Sequence, residues 1–163
     1  MATRNEQTWL ETIDRNAFFR IDDVAKVRVG IKTTADKVFI SDHWDQLPEN
    51  NQPETELLLP LLSSDCASKW LPLERRPSLR VLYTHVIKEG KRQVIDINEY
   101  PGAANYLEMH RTRLEGRKYI QDAKRKWYEI WVPQDPSSWG QPKLVFPDIS
   151  QSQDFAMTQR LYC

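Results

Sequence analysis

Trp9, Ile13 and Ala17 recur every four positions with Leu10 beside them, a spacing that predicts a short amphipathic helix over residues 5–17. The period then changes. Val27, Val29 and Ile31 alternate with Lys26, Arg28 and Lys32, so residues 24–31 read as a half-buried strand with one face apolar. Val38, Phe39 and Ile40 form a second apolar run, read as another strand, with residues 32–37 as the polar connection. Residues 41–55 are rich in Asp, Asn, Gln and Pro and read as an acidic surface loop. The apolar block 57–62, running on to Trp70, reads as a short helix entering a turn.

In the second half, residues 80–87 and 92–96 are β-branched and aromatic runs on either side of Glu89-Gly90, the signature of a hairpin. Asn98 offers an N-cap and Pro101 a first-turn residue for a helix in which Ala103, Leu107, His110 and Leu114 make one stripe, ending at Gly116. Residues 117 to about 129 continue as a helix with Ile120, Ala123 and Trp127 on one face, which predicts a buried Trp127. A strand over residues 143–146 and an apolar triplet at 155–157 close the pattern. Helices interleaved with short strands of local pairing predict an α+β fold: small mixed or antiparallel sheets with flanking helices, in a single domain.

Composition narrows the class. The 163 residues include six Trp, six Tyr and five Phe, enough bulky apolar material to bury a core, so disorder is excluded. No apolar run approaches the ~18 residues that a membrane span requires, and the opening residues are polar, so neither a span nor a leader is expected. Two cysteines, Cys66 and Cys163, cannot make a disulfide framework, and a reducing cytoplasm is the expected location. Total charge is zero, with 23 basic and 23 acidic residues, but its distribution is uneven. Residues 1–60 hold 7 Lys/Arg against 11 Asp/Glu, whereas residues 100–131 hold 7 against 4.

Catalytic and metal signatures are missing. His43, His85, His110 and the two cysteines form no ligand pair at metal-binding spacing. The five glycines are scattered singly, which excludes a phosphate-cradling loop or dinucleotide fingerprint. Glu89-Gly90-Lys91 with Asp65 upstream is the nearest approach to a nuclease signature, and it falls in a hairpin turn where charged residues are simply solvated. The strongest chemical feature is basic and aromatic: Lys124, Arg125 and Lys126 precede Trp127, Tyr128 and Trp131, with Arg117 and Lys118 upstream. Cations beside planar side chains suit a nucleic acid, the cations holding phosphates.

Several segments, in order, resemble the target-recognition domain of TaqI-like adenine-specific DNA methyltransferases and the related single-chain type IIG restriction-modification enzymes. Residues 29–39, VGIKTTADKVF, are close to the family's VGIKTGADKVF, with Thr34 where the family has glycine. Residues 57–62, LLLPLL, are similar to its LLRPLL block. Tyr100-Pro101, Ala104 to Glu108 and Leu114 to Arg117 resemble its YP…AYLE…LE.R helix, and WYEIWVPQDP at 127–136 followed by PKLVFPDIS at 142–150 is the most specific match. The resemblance covers residues 24–163. It sets residues 1–23 apart as an N-terminal helical segment, and implies that 24–163 form a DNA target-recognition domain.

The family's catalytic motif, an Asn or Asp followed by Pro-Pro and an aromatic, is absent, because no Pro-Pro pair occurs. So is its glycine motif for S-adenosylmethionine. The resemblance therefore implies no catalytic, cofactor or metal residue in this chain, and a role as part of a larger enzyme whose N-terminal methyltransferase domain binds S-adenosylmethionine. Double-stranded DNA is the implied partner. Lys32, Thr33, Thr34 and Lys37 on the first loop, Lys118, Lys124, Arg125 and Lys126 on the basic run, and Ser150, Gln151, Ser152 and Gln153 after Pro147 are the candidate DNA contacts. Trp127, Tyr128, Pro142 and Phe146 are assigned to the frame. An alternative rests on the acidic segment 42–56: a protein-interaction module docking on a catalytic or translocating subunit.

Overall fold

Residues 3–62, 79–146 and 156–158 are described by a computed structural model of the chain. Among them the architecture is α+β, short helices packed around small antiparallel sheets. In the central sheet β3 (Arg80–Leu82) lies between β1 (Ile40–Ser41) and β2 (Leu58–Pro60), antiparallel to both. Ile40 and Leu59 both register on Val81, which is fully buried together with Leu82. Two further pairs are β4 (His85–Lys88) with β5 (Lys91–Val94), and β6 (Lys143–Val145) with β7 (Ala156–Thr158).

The hairpin forms as its pattern predicts. Glu89 and Gly90 take φ of 53° and 72°, the two positive values a two-residue turn needs to match the strand twist. The Ala103–Leu107–Leu114 stripe is also present, each residue wholly buried. It is carried by two helices, α4 (Pro101–Met109) and α5 (Arg111–Glu115), broken at His110. Pro101 opens α4 as expected. Its free N–H groups are satisfied from afar: the Glu54 carboxylate accepts from the amides of Gly102 (2.8 Å) and Ala103 (3.1 Å). An acid at a helix N-terminus is favoured by the dipole. Only glycine fits at 102, since a Cβ there would lie 2.0 Å from the Gln52 carbonyl oxygen.

The acidic segment is not merely a surface loop. Its Trp44 is buried, donates from Nε1 to the Arg80 carbonyl (3.0 Å) and meets Tyr106 edge-on at 5.1 Å. Tyr106 in turn donates its hydroxyl proton to the Val38 carbonyl at 2.8 Å. These contacts clamp α4 over the central sheet.

Four local expectations are corrected. Residues 24–31 form no strand: Val27 and Val29 remain more than half exposed, and the only pairing nearby is an isolated bridge between Lys32 and Val132. Alternation without a partner for either face does not make a ladder. Val38 and Phe39 belong to one helical turn, α3 (Asp36–Phe39), with extended backbone starting at Ile40. Leu58–Pro60 is a strand, because Val81 offers it a ladder; the rest of the expected 57–70 helix from residue 63 onward lies outside the described residues. Asn98 sits within a 3-10 turn (Ile97–Glu99) capped by Asp96, so it does not cap α4.

Candidate nucleic-acid interface

The basic run does not continue as a helix to residue 129. Helix α6 (Lys118–Asp122) stops because Lys124 adopts a left-handed φ of 52°. The Arg125 amide then bonds back to the Ile120 carbonyl (3.1 Å) and the Lys124 amide to Gln121 (2.9 Å), the paired closure that commonly ends a helix. Lys124, Arg125 and Lys126 consequently lie on a turn rather than around a helix. The Glu129 carboxylate fixes this turn by accepting from the Lys126 amide at 2.8 Å.

Beyond the turn, residues 127–133 thread along the sheet without joining it. Their backbone is held by side chains. Thr84 donates to the Tyr128 carbonyl (3.0 Å), Tyr83 to the Pro133 carbonyl (3.1 Å), and Tyr128 to the Ile95 carbonyl (3.0 Å). Tyr128 and Ile130 face inward and are buried. Trp127 is only half-buried, with the Arg111 guanidinium 5.0 Å above its ring, because the stripe that would have buried it ends with α6.

Arg117 joins the two candidate segments. It follows Gly116 at the end of α5, is buried, and donates to three carbonyls: Leu114 (3.1 Å), Thr33 (2.9 Å) and Trp127 (2.5 Å). Its guanidinium also stacks 5.3 Å from the Phe39 ring. Burial pulls its pKa down to about 10, with Glu129 opposing, so the cation persists at neutral pH. The Lys32–Val132 bridge (N–H to O distances of 3.1 and 2.9 Å) ties the same two segments a second time. Residues 32–37 and 124–132, far apart in sequence, are thereby neighbours.

On this frame Lys32, Lys37, Lys118, Lys124, Arg125 and Lys126 are all exposed, and none pairs with a carboxylate among the described residues. Arg125 lies 4.7 Å over the Trp131 ring and donates to its carbonyl (2.8 Å). Tyr119, 62% exposed, stacks at 5.6 Å from Trp131. Lys126 packs 5.6 Å from the Tyr128 ring, and a hydrogen bond to that tyrosine raises its pKa. The result is a rim of unpaired cations, two of them, Arg125 and Lys126, braced by aromatic rings.

The other candidates divide. Thr33 is fully buried; its hydroxyl bonds Asp36 and accepts from the Ala35 amide (3.0 Å), so it organises the loop from within. Thr34 is exposed and itself takes the left-handed φ of 58° that a glycine would adopt freely. Ser150, Gln151, Ser152 and Gln153 lie outside the described residues, as does Asp65 of the nuclease-like set. Glu89 and Lys91 are exposed at the hairpin tip. Among the described residues no group of three potential ligands could hold a metal ion, and no helix is long and apolar enough to cross a membrane. In the acidic segment Asp45 pairs with Arg80 (2.6 Å) and Glu54 caps α4.

Sequence reasoning grouped Arg117 with the solvated cations and passed over Tyr119. The available signal for Arg117 was its place directly after a helix-ending glycine, where a long donor can reach the last carbonyls. Tyr119 carried no such signal, since its ring meets Trp131 only once the turn at Lys124 is made.

No family model matches the chain. It is 51% identical over 155 residues to the Type II methyltransferase M.BanIII of Aneurinibacillus aneurinilyticus, a stretch covering 95% of this chain and 27% of that protein. To the Type II methyltransferase M.BstVI of Geobacillus stearothermophilus it is 28% identical over 137 residues, 80% of this chain and 22% of the relative. To the Type II methyltransferase M.PaeR7I of Pseudomonas aeruginosa it is 29% identical over 157 residues, 90% of this chain and 26% of the relative. The chain thus spans about a quarter of the length of the curated relatives it matches, and is homologous to part of them.

Proposed function

We propose that this chain is the DNA target-recognition part of a TaqI-like, adenine-specific methyltransferase of a bacterial restriction-modification system, in the single-chain type IIG manner. Residues 24–163 form the recognition unit, and the chemistry belongs to a separate methyltransferase domain that binds S-adenosylmethionine. The observation that carries this reading is the convergence of two distant cationic loops, 32–37 and 124–132, into one unpaired basic rim on a frame stapled by Arg117. A methyltransferase that acts on a base inside a duplex must extrude it, and a second surface then has to hold and read the flanking duplex.

Lys32, Lys37, Lys118 and Lys124 are exposed point charges suited to phosphates. Arg125 and Lys126 are restrained by Trp131 and Tyr128, so less side-chain freedom is lost when they bind. Thr34, with the Ser150–Gln153 group, supplies donors and acceptors for base edges. Binding of the chain to a duplex oligonucleotide, followed by fluorescence anisotropy from about 50 to 200 mM salt, tests this. Each phosphate contact contributes about −0.9 to the slope of log K against log salt, and affinity on the order of micromolar is expected at low salt. Affinity indifferent to salt, or none at 50 mM, overturns the proposal.

A further inference from the structure

From Thr3 to Gly30 the chain buries nothing. The segment is nevertheless locally built. Helix α1 (Arg4–Asn16) opens with a reciprocal cap, Glu6 bonding the Thr3 amide at 2.5 Å while the Thr3 hydroxyl accepts from the Glu6 amide at 3.4 Å. Arg20 pairs with Asp14 at 2.8 Å, and a single helical turn, α2 (Ile21–Val24), follows. Yet Trp9 is 70% exposed, Leu10 58%, Phe18 94% and Phe19 76%, with Val24 at 72%. The attachment to the rest of the fold comes at its far end, where Gln134 donates to the Val29 carbonyl at 2.6 Å. An isolated helix of this length is marginal in water, and contiguous apolar exposure of this extent marks an interface.

We infer that residues 3–29 are a docking arm whose apolar face lies against the methyltransferase portion of the same polypeptide, the part of the relatives that this chain does not span. This rests on the reading proposed above. Three observations choose the occupant. The stretch shared with M.BanIII takes in 155 of the 163 residues, so most of the arm lies inside it, while the other three quarters of that relative lie outside it and can supply the covering surface. An in-chain surface is present at high effective concentration, which a second copy in solution is not. The arm also carries five Lys/Arg against five Asp/Glu between residues 3 and 30, an electroneutral apolar surface fitted to protein rather than to phosphates.

The test compares the chain alone with a full-length methyltransferase carrying it, by amide hydrogen exchange and thermal unfolding, without DNA. Amides of α1 should exchange at least about tenfold more slowly in the full-length protein than in the chain alone. The pair Trp9→Glu and Ile13→Glu should leave the unfolding of the isolated chain unchanged, because both side chains are exposed there, and should lower the melting temperature or block folding of the full-length protein. Equal exchange in the two contexts overturns the inference. So does a concentration-dependent dimer of the isolated chain, seen by analytical ultracentrifugation, that protects α1 and is lost in the pair. DNA binding measured on the same samples separates the two readings: a protected arm in a protein that ignores DNA keeps this inference and discards the recognition role.

Discussion

Arg117 is the residue whose removal should do most damage for its size. Its guanidinium satisfies the Leu114, Thr33 and Trp127 carbonyls at once, in a site where the residue is only 7% exposed. Hydrogen bonds from a charged donor contribute about 1.5–3 kcal/mol each, so three give roughly 5–9 kcal/mol gross. Against this stands the cost of burying the cation, the same cost that pulls its pKa down to about 10, or about 3 kcal/mol. Arg117→Met keeps most of the volume, discards both terms and leaves three carbonyls without their donor. A net loss of about 3–4 kcal/mol is expected, near the cost of breaking other buried networks. Arg117→Lys keeps the charge but offers a compact head in place of a fork, and should recover only part of the loss, leaving about 2 kcal/mol. Urea unfolding gives both values from the midpoint at constant slope. The staple also sets loop 32–37 against 124–132, so Arg117→Met, measured at a temperature where it is folded, should weaken DNA binding although Arg117 itself is buried. A stability loss under about 1 kcal/mol refutes the reasoning, because the two segments would then be held together by something else.

Three further outcomes are expected. Thr34→Gly should stabilise the fold by about 0.5–1 kcal/mol in the same urea assay, since relief of the left-handed strain, about 1–2 kcal/mol, exceeds the added freedom of the unfolded chain. Gly102→Ala should cost about 2–3 kcal/mol and expose Trp44 to fluorescence quenchers, because the new methyl meets the Gln52 carbonyl and must push α4 off the 49–52 segment. His85 is buried, and desolvation with Arg92 and Arg125 nearby lowers its pKa to about 4; below pH 6.5 the unfolded chain takes up a proton that the folded chain refuses. Stability is therefore flat above pH 6.5 and falls by up to about 3 kcal/mol on the way to pH 4, a slope that His85→Phe should abolish in urea titrations across that range.

Wherever an element is specified by neighbours in sequence, its pattern was legible. The Glu89-Gly90 turn, Pro101 at the head of α4, the Ala103–Leu107–Leu114 stripe and the first helix all depend on local chemistry, and all are present. The misreadings have a common cause in long-range partners. Residues 24–31 alternate like a strand but find no ladder, whereas Leu58–Pro60, an unbroken apolar run, finds one on Val81. The end of α6 turned on Lys124 adopting a conformation usually left to glycine, for which its side chain gives no sign. Of the candidate site, the residue types were legible and their meeting was not, because the joining residue, Arg117, looks in sequence like one more cation of the basic run.

That concealment follows from how the frame is built. Residues 127–133 are held through Thr84, Tyr83, Tyr128 and Arg117, whose side chains grasp individual carbonyls, and the segment has only one backbone bridge, at Val132. A ladder would impose a register on every position and alternate inward and outward faces along the whole run. Point fastenings constrain only the atoms they touch, so the exposed side chains of Lys32 and Lys37, which no fastening uses, can be exchanged without shifting the backbone. On the proposed recognition role this property is an advantage: rigid in its carbonyl anchors, permissive at its exposed side chains. Substitutions at Arg117, Tyr128 or Thr84 should then be felt as lost stability for every DNA sequence alike, and those at Lys32 or Lys37 as lost binding in a protein that melts unchanged. Methylation-site profiling of a full-length enzyme carrying each change, alongside its melting temperature, separates the two. A fall in melting temperature on Lys37→Ala matching that on Thr84→Val would contradict the division, because anchors and readers would then be the same residues.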